Sequence, residues 1–224
     1  MRATPARAPG RYIAGPMPSS RLFVISAPSG AGKTSLVKEL LQRLPGLRAS
    51  VSHTTRRPRP NEVPGREYYF TDDAGFDGLV AAGAFLEHAR VFDNQYGTSR
   101  AQLEEKLAAG HDVILEIDWQ GARQVRAAMP ECRSIFILPP SRAALRARLT
   151  ERRTDSPAVI ERRLADAVSD MSHYREFDYV VVNDDFNEAV RQLVEIIQGR
   201  GAPYAAARPE LARITANLLS FQTP

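Results

Sequence analysis

The feature that most constrains this chain is a junction near its start. The apolar run Leu22–Ser26 (LFVIS) passes directly into Ala27-Pro28-Ser29-Gly30-Ala31-Gly32-Lys33-Thr34, which opens a helical pattern carrying Leu36, Val37, Leu40, Leu41 and Leu44. A β-type segment, a glycine turn and an amphipathic helix in that order form a concave nest of backbone N–H groups at a helix N-terminus, a built-in anion site. Gly30 and Gly32 let the backbone wrap that tightly, Lys33 adds a mobile positive charge for β- and γ-phosphates, and the Thr34 hydroxyl suits Mg²⁺. The octet departs from the G-x-x-x-x-G-K-[ST] pattern only in Ala27, where the first glycine is expected. It points to a nucleoside triphosphate site without naming an acceptor.

The rest of the chain fits an α/β fold around that junction. Short continuous β-prone runs recur at residues 113–117, 135–138 and 179–182, and helical patterns fill 101–109, 122–128, 142 to about 174, and 188–197. Strands buried on both faces read as such runs, and their alternation with helices predicts a parallel sheet flanked by helices. Between Ser50 and Tyr96 the pattern changes to short β-like pieces (67–70, 85–92) around one short helix, the mark of an inserted subdomain. After Pro209, Leu211, Ile214, Leu218 and Leu219 fall at helical spacing and predict a short amphipathic helix docked on the protein's own core.

Charge and cysteine content exclude other classes. The formal net charge of +4 arises wholly at the ends, from Arg2, Arg7, Arg11 and Arg21 at one and Arg200, Arg208 and Arg213 against Glu210 at the other. The middle is slightly acidic and presents no basic field for nucleic acid. Residues 1–20 read as a disordered basic extension with some likeness to a transit peptide. The longest apolar run, residues 79–86, is far too short to cross a bilayer, and a lone Cys132 points to a reducing compartment. The four histidines show no zinc-ligand spacing.

Arginines gather twice more. Val51-Ser52-His53-Thr54-Thr55-Arg56-Arg57-Pro58-Arg59 is followed by Glu67-Tyr68-Tyr69-Phe70, Phe85-Leu86-Glu87 and Tyr96-Gly97-Thr98. Seven arginines lie between Arg142 and Arg163. With Ile117-Asp118-Trp119-Gln120-Gly121, Arg148-Leu149, Arg162-Arg163-Leu164 and Val182-Asn183-Asp184, these motifs in unbroken order over about residues 20–200 make the sequence resemble guanylate kinases.

That resemblance implies a P-loop core (21–51, 101–143, 171–200), a mixed α/β GMP-binding subdomain (52–100) and a helical lid (144–170), and it leaves residues 201–224 as a separate tail. It implies transfer of the γ-phosphoryl group of MgATP to GMP or dGMP in the cytoplasm. Residue by residue, Ala27 through Thr34 correspond to the ATP-phosphate loop, with Arg148, Arg152, Asn183 and Asp184 as further ATP contacts. Arg56, Arg59 and Tyr68 correspond to the grip on the GMP phosphate, where arginine forks bind phosphate oxygens in pairs. Ser52, Glu87 and Thr98 correspond to the guanine readers, and Tyr96 either supports that pocket or stacks in the core. Lys33, Arg59, Arg152 and Arg163 correspond to the residues that neutralise the transferring group. Thr34 would hold Mg²⁺ directly, with Glu116 and Asp118 as candidates through water; Asp118, taken to end its strand, also stands near the guanine amino group. Arg142, Arg146 and Arg162 read as a salt-bridged surface, and Asn183-Asp184 also as a helix cap. The competing expectations are a non-catalytic module that binds phosphorylated peptides and a kinase of other base preference. Monomer and homo-oligomer both stay open.

Overall fold

The computed structural model describes residues 20–91, 93–151 and 156–220. Most of the basic extension, together with Arg152 and Arg153 of the arginine-rich stretch, lies outside them.

Two sheets organise the described residues. The larger is parallel throughout, in the order β2 (Leu47–Ala49), β7 (Asp112–Glu116), β1 (Leu22–Ser26), β8 (Arg133–Leu138), β9 (Tyr179–Val182). Alternation along β1 divides the core. Phe23 and Ile25 pack with Leu36, Val37 and Leu40 of α1 (Lys33–Arg43) and with Val190 and Leu193 of α7 (Phe186–Ile197). Leu22 and Val24 face the cluster that holds Leu103 of α3 (Arg100–Ala108), Val125 of α4 (Trp119–Ala128) and Met171 of α6 (Pro157–Ser172). Helices cover both faces, which is why these strands read as unbroken apolar runs. β1 lies centrally, so the glycine loop at its carboxyl end opens at the middle of the sheet edge where ligands gather in open parallel sheets.

The smaller sheet, in the order β4 (Tyr69–Phe70), β3 (His53–Thr54), β6 (Asn94–Ser99), β5 (Phe85–Val91), is mixed and is the inserted unit. It carries α2 (Asp73–Ala81) on Phe76, whose ring lies 4.8 Å from that of Phe85.

The long helical stretch expected from residue 142 is two helices, α5 (Arg142–Glu151) and α6. Ser156 caps α6 by accepting from the Val159 N–H, and Pro157 occupies its first turn, where a missing N–H does no harm. Leu145 and Leu149 of α5 and Ile160 and Ala167 of α6 form a cluster of their own, apart from both cores of the sheet. Arg146 pairs with Glu161 across the two helices as expected, but among the described residues Arg142 joins no surface ion pair. Its Nε donates at 2.8 Å to the Leu218 carbonyl at the end of α8 (Leu211–Leu219), satisfying one of the orphan carbonyls of that helix. The tail helix docks on the core through Leu211 and Leu218. Arg21, counted with the basic end, is neutralised by Asp112 at 2.6 Å. Among the described residues no helix is long and apolar enough to cross a membrane.

Candidate active site

The glycine loop is held open by backbone conformations that L side chains rarely adopt. Gly30 has φ +91° and Gly32 φ +93°. Gly32 stands at the N-cap of α1 without a side chain to cap it, so the first-turn N–H groups are left for an anion. The loop is braced from behind by Asn183, whose Nδ2 donates to the Ala31 carbonyl at 2.7 Å in a buried contact. Arg148 on α5 extends this brace, its Nη2 donating to the Asn183 carbonyl at 2.8 Å. The helix-cap reading of Asn183-Asp184 is therefore corrected: α7 is capped by Asp185, whose side chain accepts from the Glu188 N–H. Asp184 is exposed.

This brace makes a sharp prediction for Gly32→Ala. A Cβ at Gly32 would come within 2.5 Å of Asn183 Nδ2, at a positive φ. The variant is expected to lose roughly 1–3 kcal/mol of stability from backbone strain, measurable by urea denaturation, and ATP affinity with it; unchanged stability would refute the close packing.

Opposite the loop stand carboxylates. Lys33 Nζ lies 3.4 Å from the Ile117 carbonyl, and burial pulls its pKa below the usual lysine value despite the opposing fields of Glu116, Asp118, Asp170 and Glu87. Thr34 Oγ1 donates to Glu116 Oε2 at 3.2 Å. Asp118 does not end a strand as expected, because β7 stops at Glu116. It is the N-cap of α4, accepting from the Gly121 N–H at 2.8 Å, so the cap itself fixes the carboxylate at the cleft. Burial raises its pKa, against the Gly121 N–H and Lys33.

Across the cleft, Glu87 on β5 is only 3% exposed. It accepts from the Thr98 hydroxyl of the neighbouring β6 at 2.6 Å. Burial pushes its pKa up to about 7, with the Thr98 hydrogen bond working against that rise. Gly121 matters here: a Cβ on it would stand 2.4 Å from Glu87 Oε2, so only glycine lets α4 approach this carboxylate.

Arg56 is held in a ready-made position. Both Glu62 carboxylate oxygens accept from its Nη2, at 2.9 and 3.0 Å, and its guanidinium lies 5.2 Å over the Tyr68 ring and 5.8 Å over that of Phe70. Burial opposes its charge, but Glu62 outweighs burial and leaves the pKa raised. Glu62 also accepts from the Arg59 backbone N–H at 2.7 Å, closing the turn that carries both arginines. Tyr68 and Tyr96 meet edge to face at 6.0 Å. Arg57 is exposed, a solvated charge.

Phosphate loop, Ser52, Tyr68, Glu87, Tyr96, Glu116 and Asp118 line one cleft of ≈270 Å³ between the two sheets. Thr98 stands behind Glu87, and Arg56 packs against the Tyr68 wall, whereas Arg59 is exposed. Arg148 reaches the back of the loop rather than the cleft. Arg163 lies on α6, and Arg152 is outside the described residues. Three residues were missed by sequence reasoning: Glu62, Gly121 and Asp170. Only Glu62 had a local signal, a carboxylate three residues after Arg59 in a turn with Asn61 at φ 72°.

The sequence matches the family model described as guanylate kinase over residues 19–200. It is 58% identical over 203 residues to the guanylate kinase of Methylococcus capsulatus, covering 91% of this chain and 100% of that one. Identity to the guanylate kinase of Coxiella burnetii is 50% over 206 residues, covering 92% of this chain and 100% of the relative. The fold is similar to the crystal structure of guanylate kinase from Anaplasma phagocytophilum, with a TM-score of 0.69, 33% identity, and coverage of 88% of this chain and 94% of that chain.

Proposed function

This chain belongs to the guanylate kinase family and phosphorylates GMP at the expense of ATP, and we propose how its own residues divide that work. The observation that carries the assignment is the opening of the phosphate loop and the buried Glu87–Thr98 pair onto one cleft. ATP phosphates take the loop N–H groups of residues 27–34 and Lys33. Their negative charge favours the ammonium form that burial disfavours.

GMP lies across the cleft. Its base places N1–H and the 2-amino group against Glu87, with Ser52, Thr98 and Asp118 around it. Adenine offers an unprotonated N1 and no 2-amino group, so AMP would leave a buried carboxylate unpaired, the kind of mismatch that discriminates strongly. Arg56, Arg59 and Tyr68 hold the GMP phosphate, with Tyr96 supporting Tyr68. That phosphate is anionic near neutral pH, so its oxygen attacks the γ-phosphorus without a general base. The protein's task is alignment and cancellation of charge. Lys33, Arg59 and the lid arginines Arg152 and Arg163 supply the cancellation, and closure of α5 and α6 excludes water. Their separate apolar cluster suits such a moving unit.

Mg²⁺ fits the oxygens present. Thr34 Oγ1 and Glu116 lie in contact with Asp118 nearby. Among the described residues no group of three or more His, Cys, Asp or Glu could hold a metal by itself. A cation that keeps several waters and arrives on phosphates needs no more than that. When bound, it neutralises phosphate charge; Thr34 would hold it directly, Glu116 and Asp118 through water. We place the reaction in the cytoplasm, consistent with the free, buried Cys132, with MgATP and GMP or dGMP as substrates.

The reading is tested by ADP formation from MgATP with GMP, dGMP, AMP, CMP and UMP as acceptors. GMP and dGMP should lead, with AMP lower by roughly 10⁴-fold in kcat/KM; comparable turnover of AMP would discard the guanine pocket. Arg56→Ala should raise KM for GMP by roughly 10–100-fold, the worth of a charged hydrogen-bonded contact, and leave KM for ATP nearly unchanged. Equal losses for both substrates would contradict its place on the acceptor side.

A further inference from the structure

One lining residue of the cleft comes from neither the core loops nor the inserted sheet. Asp170 sits on α6, the second helix of the lid pair, yet its side chain lines the same cleft as Lys33 and Asp118. The other cleft carboxylates have partners within the protein: Glu87 has Thr98, Asp118 caps α4, and Glu116 meets Thr34. For Asp170 the Trp119 side chain, whose only donor is the indole N–H, favours the charged form.

Trp119 is itself clamped. The His173 ring stacks on it at 3.6 Å and 11°, and the Arg123 guanidinium lies 4.9 Å from its ring centre. Glu176 ties the two together, accepting from Arg123 at 2.7 Å and meeting His173 Nδ1 at 2.7 Å. A carboxylate that lines a cleft next to so firmly held a side chain is placed to meet a ligand. It is also costly to the free protein, since burial and the neighbouring Asp118 push its pKa up to about 6.

The chemistry of the acceptor narrows what Asp170 can meet. Away from its phosphate, GMP offers donors at N1–H, the 2-amino group and the two ribose hydroxyls. Glu87 and Asp118 face the base donors, so the ribose hydroxyls are left, and the ribose lies between base and phosphate. Asp170 lines the same cleft as the base-reading carboxylates and lies close enough to Lys33 of the phosphate loop to act on its charge. A carboxylate accepting from a 2′-hydroxyl is a recurrent solution in nucleotide sites. We propose that Asp170 accepts a hydrogen bond from the 2′-hydroxyl of the acceptor ribose, so that a lid helix reads the sugar while the inserted sheet reads the base. This rests on the assignment of the base to Glu87.

The test compares kcat/KM for GMP and dGMP in the wild type, Asp170→Asn and Asp170→Ala, with GMP against AMP as an internal control. Asparagine keeps a carbonyl for the Trp119 indole and so guards against misfolding. Wild type should favour GMP over dGMP by roughly tenfold, the worth of one hydrogen bond to a charged group. In Asp170→Ala the ratio should fall to about one, with a rise in KM for GMP carrying the change, and in Asp170→Asn it should fall part of the way, because the amide keeps a neutral acceptor. A ratio as large in the variants as in wild type would overturn the proposal while GMP-over-AMP selectivity stands. An equal fall for both acceptors, seated in kcat, would also overturn it and assign Asp170 to Lys33 or to structure. Loss of GMP-over-AMP preference in the wild type would remove the Glu87 assignment and this inference with it.

Discussion

Replacing Lys33 by alanine is expected to lower kcat by roughly 10²–10³-fold, the usual cost of deleting one preorganised donor to transition-state charge. GMP affinity should stay within about threefold of wild type, because the acceptor site is built on other elements. The physical reason lies in what surrounds the lysine. Four carboxylates face it across the cleft, and without Lys33 they would repel the incoming phosphates with nothing to offset them. The loss should therefore exceed that of a surface lysine such as Lys38, which is exposed on the same helix. Single-turnover kinetics with titration of GMP checks both parts. Substantial residual turnover would count against the phosphate-loop assignment, and an equal loss of GMP binding would mean the two half-sites are not separate.

Glu87→Gln should show a trade of stability for function. With its folded pKa raised to about 7 from an ordinary 4.5, the native state binds this proton more tightly than the unfolded chain. Stability therefore falls as pH rises between about 4.5 and 7, by on the order of 3 kcal/mol in the ligand-free protein. Glutamine removes that titration. The variant should be more stable than wild type above pH 7 by up to about 3 kcal/mol, and should show no such gain near pH 4.5. Catalytically it should do the reverse, because an amide presents one donor to guanine's donors. Expected are a fall in kcat/KM for GMP of roughly 10²-fold or more and a collapse of the GMP-over-AMP preference. The pH profile separates the causes. In wild type, GMP affinity should weaken as pH falls through about 7, since guanine needs the ionised carboxylate, and in the variant that slope should vanish. Denaturation at pH 5 and pH 8 beside GMP binding at the same values decides it; no stability gain at pH 8 would show that Glu87 is not held at a cost.

Both results turn on one difference in how residues came to be legible. The loop residues 27–34 could be read from the chain because their chemistry is local: two glycines, a lysine and a threonine between a strand and a helix. The four core strands were equally plain, since burial on both faces writes itself as a short apolar run. β2 left no such trace, being a three-residue edge strand with Arg48 exposed at its centre. The break between α5 and α6 was written in Ser156-Pro157, a cap and first-turn pair, but was hidden by arginine and leucine periodicity running through it. Tail residues Leu211 and Leu218 were readable as an apolar stripe. The contact of Arg142 with the Leu218 carbonyl was not, since nothing in either segment names the other.

For the site the division is sharper. Sequence alone determined that the chain can cradle phosphate, that arginines cluster twice, and that it belongs with proteins sharing those motifs in order. These are properties of adjacent residues, fixed by backbone geometry and side-chain type wherever the rest of the fold lies. Only tertiary structure decided that Glu87 is buried rather than an exposed strand carboxylate, that Gly121 makes room for it, and that Asp170 lines the cleft from α6. It alone placed Asn183 on the Ala31 carbonyl, 152 positions away, making a residue that reads as a cap into the brace of the loop. Burial, pairing and the pKa shifts they cause depend on which distant groups share a low-dielectric space, and that is a property of the packed chain, not of any segment of it.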